Sequence, residues 1–395
     1  MNEAQLGRIS VNAEPDLLAT PVSQSAPATD LPPTPEAKTD PYPWILNPVV
    51  DLLFACGGIF WPIFLVMHFT GAKMDTTNNL NISMFFIGVI GLHLFSDGHQ
   101  PATLWRVYLS KSTREVLWKP VTALAAAAVA VGAAIVAFPA FAVAGVKIII
   151  LASIQHQLMQ SYGVALIYCY KRRYYMNKME RDIMYWMVQA AIAFIVATML
   201  TNKEFGTASV KWLGMEIPYW QVLPQWLATV SLVVLQVMVL LFAGMIVRKY
   251  IKEKRIFPLP ALMVVMTLII MPFVAGGSAF TMLWLWVGSL WFHSCQYLVV
   301  TSSFYFKERG LPENVSLSQI GRMLMTWVSL RYFATVFFVG LALAFFVPMG
   351  LHQLFGVPQT VALAAVYVAM NMHHFITDGF IWKLRDPKVQ KLLVA

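Results

Sequence analysis

Ten apolar runs, nearly free of charge, follow one another along the 395-residue chain: 48–70, 80–98, 120–139, 146–170, 183–201, 223–247, 257–276, 279–305, 323–349 and 358–382. The hydrocarbon core of a bilayer is about 30 Å thick and a helix rises about 1.5 Å per residue, so roughly 20 apolar residues span it. In lipid each backbone N–H and C=O must be satisfied within its own segment, and runs of this length meet that demand as helices. A water-soluble helix bundle needs a polar face on its outer helices. With 58% hydrophobic and 12% charged residues, this chain lacks the means to supply one. The sequence therefore predicts an all-α, polytopic integral membrane bundle of about ten transmembrane helices. The third run, Ala123 to Ala144, is mostly alanine, and its small side chains predict a place inside the bundle. The segment 202–222, with Trp212, Tyr219 and Trp220, reads as interfacial.

The net charge of +9 sits in short knots between the runs. After the second run come Arg106, Lys111, Arg114 and Lys119; after the fourth, Lys171, Arg172, Arg173, Lys178 and Arg181; after the sixth, Arg248, Lys249, Lys252, Lys254 and Arg255. Lys307, Arg309 and Arg322 follow the eighth, and Lys383, Arg385, Lys388 and Lys391 the tenth. The intervening loops carry only Lys73, Lys147, Lys203 and Lys211. By the positive-inside rule this alternation puts both termini in the cytoplasm, in a membrane of the bacterial inner type. It also excludes nucleic acid as a partner, because the charge forms no single basic face. Residues 1–40 are polar and proline-rich and contain no apolar core for a signal peptide. They read as a disordered cytoplasmic tail ahead of a single transmembrane domain, 41–395. Cys56, Cys169 and Cys295 form no CxxC pair, which excludes a disulfide framework or a structural zinc knuckle.

An ionisable side chain at membrane depth is costly, and so marks a functional site by default. His93, His156, His293, His373 and His374 fall in the second, fourth, eighth and tenth runs, all of the same direction. Counting to the next basic residue (Arg106, Lys171, Lys307, Lys383) places the imidazoles roughly 13–23 Å from the basic rim. His93-Leu-Phe-Ser-Asp97-Gly98 and His374-Phe-Ile-Thr-Asp378-Gly379 share the pattern His-x-x-[Ser/Thr]-Asp-Gly. The i, i+4 spacing puts each His and Asp on one helix face, where Asp97 and Asp378 can orient a metal-bound imidazole. Gln160 and Tyr162 accompany His156, and Gln296 and Tyr297 accompany His293, as hydrogen-bonding supports. His68, His352 and His99 fall near the ends of runs or in a loop and are set aside as core ligands. A single histidine in such a place can equally be a helix–helix hydrogen bond; five in one layer point to a shared metal.

Histidines spread over several membrane helices, here His93, His156, His293 and His374, resemble the layout of the bacterial membrane-embedded β-carotene dioxygenases (Brp/Blh group). The resemblance implies a non-haem iron held by transmembrane histidines and used with O₂. The chain has no His-x-x-x-His pair on one helix, and it lacks the His-x-x-His-His boxes of membrane desaturases. The expectation is a membrane metal-dependent oxidoreductase acting on a hydrophobic small molecule. Its cofactor is a metal ion, with iron favoured over copper, zinc or haem. No catalytic residue is assigned. A haem-binding electron-transfer protein and a proton or metal-ion transporter using the His/Asp layer are the alternatives.

Overall fold

The computed structural model describes residues 44–70, 79, 83, 91–201, 222–275, 291–309, 316–382 and 393. The expected tail, 1–40, and most of the expected interfacial segment, 202–221, lie outside the described residues. So do the side chains of His68 and His93, although their backbones are helical. All described residues belong to one compact unit, Asp40–Ala395.

Among them the regular structure is entirely helical: α1 Phe60–Thr70, α2 Asp97–Leu104, α3 Lys111–Ala137, α4 Phe141–Lys171, α5 Lys178–Thr201, α6 Trp226–Glu253, α7 Leu259–Ala275, α8 His293–Glu308, α9 Leu317–Leu324, α10 Trp327–Leu341, α11 Val347–Phe355 and α12 Gln359–Ile381. Among the described residues six helical stretches are long and apolar enough to cross a membrane: Thr113–Ala137, Phe141–Lys171, Lys178–Thr201, Trp226–Glu253, Trp327–Phe355 and Gln359–Ile381. The fifth joins α10 to α11 through a π-helical turn, Ala342–Phe346. Helix α4 is the hub, packing against α3, α5, α7, α8 and α12.

Three expected features come out differently, each for a local reason. The first run is not one helix. A single helical turn, Pro48–Val50, leads into a π turn, Asp51–Ala55, and the chain then breaks before α1. At the break Gly57 has φ +89°, which glycine adopts without a Cβ penalty. Beside it a Cβ on Gly58 would lie 2.7 Å from the Leu52 carbonyl oxygen. The buried Asp51 pins this segment, accepting from the backbone N–H of Ile45 (2.6 Å), Leu46 (3.1 Å) and Asn47 (3.3 Å) and from the Tyr168 hydroxyl of α4 (2.9 Å).

The second run does not end at Asp97-Gly98. Helical backbone runs on through α2 and a π turn, Trp105–Leu109, and Trp105 is buried. Gly98 serves a helix crossing instead of a helix end: a Cβ there would touch Val336 of α10 at 3.2 Å, and a Cβ on Gly340 would collide with the Asp97 carbonyl. Missing side chains let two backbones approach. π turns, Leu92–Ser96 and Trp105–Leu109, flank α2, which also contains Pro101. Such irregularity is common where a helix carries functional groups.

The alanine-rich third run, finally, is not inside the bundle. Only 22% of the apolar window of Thr113–Ala137 is buried. Its small residues serve one narrow seam, where Gly132 lies so close that a Cβ would stand 3.2 Å from the Ala365 carbonyl of α12.

The basic knots meet at one end of the bundle. Arg172, after α4, lies 4.9 Å over the Trp44 ring, and Ser303 of α8 donates to the adjacent Ile45 carbonyl (2.8 Å). Arg255, after α6, donates to the Arg173 carbonyl (2.9 Å), and Lys249 of α6 to the Tyr175 carbonyl (2.7 Å). Ser110 donates to Glu308 at the end of α8 (2.8 Å), and Arg106 stacks 3.5 Å over Phe304 and 5.5 Å from Trp382, just past α12.

Candidate metal centre

Four helices carry imidazoles to one point. Helix α2 brings His99, α4 His156, the first turn of α8 His293, and α12 His374. Ring centroids of His374 stand 4.7 Å from His156, 4.8 Å from His99 and 6.3 Å from His293. Those of His293 stand 5.1 Å from His99 and 4.9 Å from His156. Two groups of potential ligand atoms each lie within 4.8 Å of one another: nitrogens of His99, His293 and His374, and nitrogens of His156 and His374 with an Asp378 carboxylate oxygen. Two ligands held 2.0–2.2 Å from one ion lie within about 4.4 Å, so the set needs to draw in by only a few tenths of an ångström.

Hydrogen bonds fix the rings. His99 Nδ1 meets the Ser96 carbonyl, an acceptor, so the proton belongs on Nδ1 and the Nε2 lone pair is left for the cluster. Ser294 Oγ lies 3.1 Å from the same Nδ1. His374 Nδ1 lies 2.7 Å from Thr103 Oγ1, and Thr103 donates to Asp378 Oδ1 at 3.1 Å. The simplest proton arrangement runs from His374 Nδ1–H to Thr103 and on to the carboxylate, which frees His374 Nε2. That nitrogen is 3.1 Å from His156 Nε2, a separation suited to neighbouring ligands of one ion. The His156 ring is stacked on Phe375 at 4.4 Å. His293 differs from the other three. It is 1% exposed, and neither ring nitrogen has a hydrogen-bond partner among the described residues. A buried imidazole ordinarily satisfies both nitrogens, and the unfilled lone pair is what a metal would take.

The carboxylate of Asp378 divides its oxygens. Oδ1 accepts from Tyr297 (2.7 Å) and Thr103, while Oδ2 lies 3.7 Å from both His156 Nε2 and His374 Nδ1. Tyr297 is also 2.6 Å from Thr103 Oγ1, and it accepts from Trp382 Nε1 at 3.3 Å. The expected supports Gln160 and Gln296 brace α8. Gln160 Nε2 donates to the His293 carbonyl (2.9 Å) and, at 3.5 Å, to Gln296 Oε1. Gln296 accepts from Ser161 (3.1 Å) and donates to the Ala55 carbonyl beside the first-run break (3.2 Å). Tyr162 packs edge-on against Tyr185, 5.8 Å away.

Of the residues singled out in the sequence, the structure thus brings together His156, His293, His374 and Asp378, with Tyr297, Gln160 and Gln296 around them. His93 has a described backbone in the π turn before α2, and its side chain lies outside the described residues. His373 turns away to the Val121 backbone of α3 and belongs to neither converging group. Asp97, half-buried at the start of α2, belongs to neither as well. Two participants were passed over in the sequence. His99 was discounted because Asp97-Gly98 reads as a helix end. Thr103 carries no signal of its own beyond its i, i+4 spacing from His99.

A cavity of about 610 Å³ reaches this cluster between α4 and α12. His156, Asp378, Tyr297 and Trp382 form part of its wall, together with apolar residues of both helices. Gln155 and Ile376 on its lining are exposed at the bundle surface, and Cβ atoms added at Gly163 or Gly379 would have nothing within 4 Å. No protein-family model, no curated protein and no solved structure matches this chain.

Proposed function

We propose that the chain is a membrane-embedded, metal-dependent oxidoreductase, with non-haem iron held by His99, His156, His293 and His374 and by Asp378, acting on a lipid-soluble substrate. The observation that carries this reading is the convergence of four imidazoles and a carboxylate at an apolar cavity open to the bundle's flank. Imidazole-rich sites with a carboxylate suit iron, copper or zinc, and within this one the two imidazoles and one carboxylate of His156, His374 and Asp378 are a donor set that non-haem iron takes with positions left open for O₂. A bound iron would supply one-electron and O₂ chemistry next to the cavity. His99, His156 and His293 all stand within 6.3 Å of the His374 ring and fill the space where a porphyrin would have to lie flat, which disfavours the haem alternative.

The protein's own groups have separable roles in this reading. His156 and Asp378 border the cavity and so face the substrate. Thr103 and Tyr297 hold Asp378 through Oδ1 and can take or return a proton there. The apolar walls exclude water and admit an apolar substrate sideways from lipid. The ten-span arrangement, with both termini cytoplasmic in a bacterial inner membrane, is part of the proposal; the gathering of the basic knots at one end supports it.

Metal analysis and an absorption spectrum of the purified protein test the reading. Near-stoichiometric iron without a Soret band is expected, and His293→Ala should remove it. Protein that remains metal-free after anaerobic incubation with ferrous iron would sink the proposal, and a Soret band would move it to the haem alternative.

A further inference from the structure

Two of the helices that carry the cluster also carry an oxidisable ring away from it. On α12, His374, Asp378 and Trp382 follow one another at intervals of four residues, and on α8 His293 and Tyr297 are four apart, so each series shares a helix face. The two faces meet at Tyr297. Its ring, 2% exposed, stands 5.2 Å from the His374 ring and 5.9 Å from that of His99. Its hydroxyl donates to Asp378 Oδ1 at 2.7 Å and accepts from Trp382 Nε1 at 3.3 Å. The phenol and indole rings lie edge to face, 5.9 Å apart. Trp382 is half-buried just past the end of α12, with Phe304 6.1 Å away and Arg106 5.5 Å over its ring, at the end of the bundle where the basic knots meet. Phenol and indole both give up one electron readily, and a phenol does so more easily when its proton has an acceptor within hydrogen-bond reach. Tyr168 supplies the contrast. It too is buried and donates to a carboxylate, Asp51 (2.9 Å), but among the described residues it makes no ring contact with an indole or an imidazole.

From this geometry we infer that Tyr297 and Trp382 form a redox relay, which carries electrons one at a time between the histidine cluster and the basic end of the bundle. In the working direction the assignment rests on the reading of the cluster as an iron site. Tyr297 gives one electron to the oxidant that iron and O₂ generate there, and its phenolic proton crosses to Asp378 Oδ1, leaving a neutral phenoxyl. One electron from Trp382 and the proton returned by Asp378 restore the phenol. The indole radical cation is then reduced by a one-electron donor from the aqueous phase. Nothing but one electron passes through the pair, and no bond between heavy atoms forms or breaks. The same two rings conduct in either direction, so the relay can be oxidised from its outer member with no metal present.

Photo-oxidation of the full-length protein in nanodiscs tests this without relying on activity. Difluorotyrosine placed at position 297 gives a radical whose fluorine splitting in the electron paramagnetic resonance spectrum sets it apart from every other tyrosine. With tris(bipyridine)ruthenium and persulfate as the aqueous photo-oxidant, the fluorine-split radical should form at position 297, although that side chain is buried. Trp382→Phe keeps an edge-to-face ring but loses the indole, and should lower the yield about tenfold or more. Difluorotyrosine at position 168, equally buried and also bonded to a carboxylate, should give no such signal. Absence of the radical at 297, an equal yield in Trp382→Phe, or an equal yield at 168 would each overturn the relay. Should Trp382→Phe fail to fold, the comparison of 297 with 168 in the otherwise unchanged protein still decides. Iron content, measured on the same samples, separates the two readings. A relay that conducts in a protein unable to take up iron removes the metalloenzyme and leaves the redox pair. Iron uptake without a radical at 297 does the reverse.

Discussion

His293 and His373 are both buried, and among the described residues His293 has no partner for either ring nitrogen and His373 none for Nε2. His293 faces three other imidazoles, whereas His373 faces the backbone of α3. Removing a ligand should therefore differ sharply from removing a neighbour. His99→Ala and His293→Ala are expected to lower iron content together, each weakening binding by at least tenfold, while His373→Ala retains the metal. Asp378→Asn keeps the shape and the hydrogen bonds to Oδ1 but loses the charge, and should weaken iron binding about 10–100-fold. Metal titration of the four variants checks this, and a His99→Ala protein that binds iron like the parent would remove α2 from the site. His156, His293, His374 and Asp378 could be picked from sequence because ionisable groups inside apolar runs are costly and few. His99 could not, since its local sequence, directly after Asp-Gly, is that of a helix end. What keeps Gly98 helical is α10 crossing over it, a contact more than 200 residues away in sequence.

At the level of elements, the same lesson appears in the two His-x-x-[Ser/Thr]-Asp-Gly stretches. Gly379 lies in the last turn of α12, close to where such a glycine reads as belonging, and Gly98 lies in the second position of α2, wedged against Val336. Spacing along one helix was legible; which glycine serves a crossing depends on the partner helix. Helix α5 and helix α6 show how the basic knots also hold elements together. Asn177 and Glu180 cap α5 reciprocally, with Asn177 N–H donating to Glu180 (2.9 Å) and Glu180 N–H to Asn177 (3.0 Å). Glu180 then accepts from Lys249 of α6 at 2.7 Å, and both side chains are largely buried, 11% and 4% exposed. Lys249→Met would strand the carboxylate, and breaking such a pair costs about 3–5 kcal/mol. A clear fall in the thermal midpoint in detergent is expected. Lys249→Met combined with Glu180→Gln should recover much of the loss, because the buried charge is gone. If the single variant melts with the parent, the pair contributes nothing to stability.

For the whole molecule, the charge alternation acquires a physical location. Trp44, Arg106, Arg172, Arg173, Lys249, Arg255, Glu308 and Trp382 are linked by contacts at one end of the bundle, although the chain separates them into six stretches. The apolar helical bundle follows from composition, which is readable without a structure; of the ten spans expected, the described residues carry six helices long and apolar enough to cross a membrane. The hub position of α4 and the outer position of α3 do not follow from composition, because both hold long apolar stretches and their packing partners decide which is covered. If the basic end faces the cytoplasm, α12, which ends there at Ile381, delivers the C-terminus to the same side. A fluorescent protein fused after Ala395 should then be fluorescent, and alkaline phosphatase at the same position should be inactive. Phosphatase activity would invert the bundle.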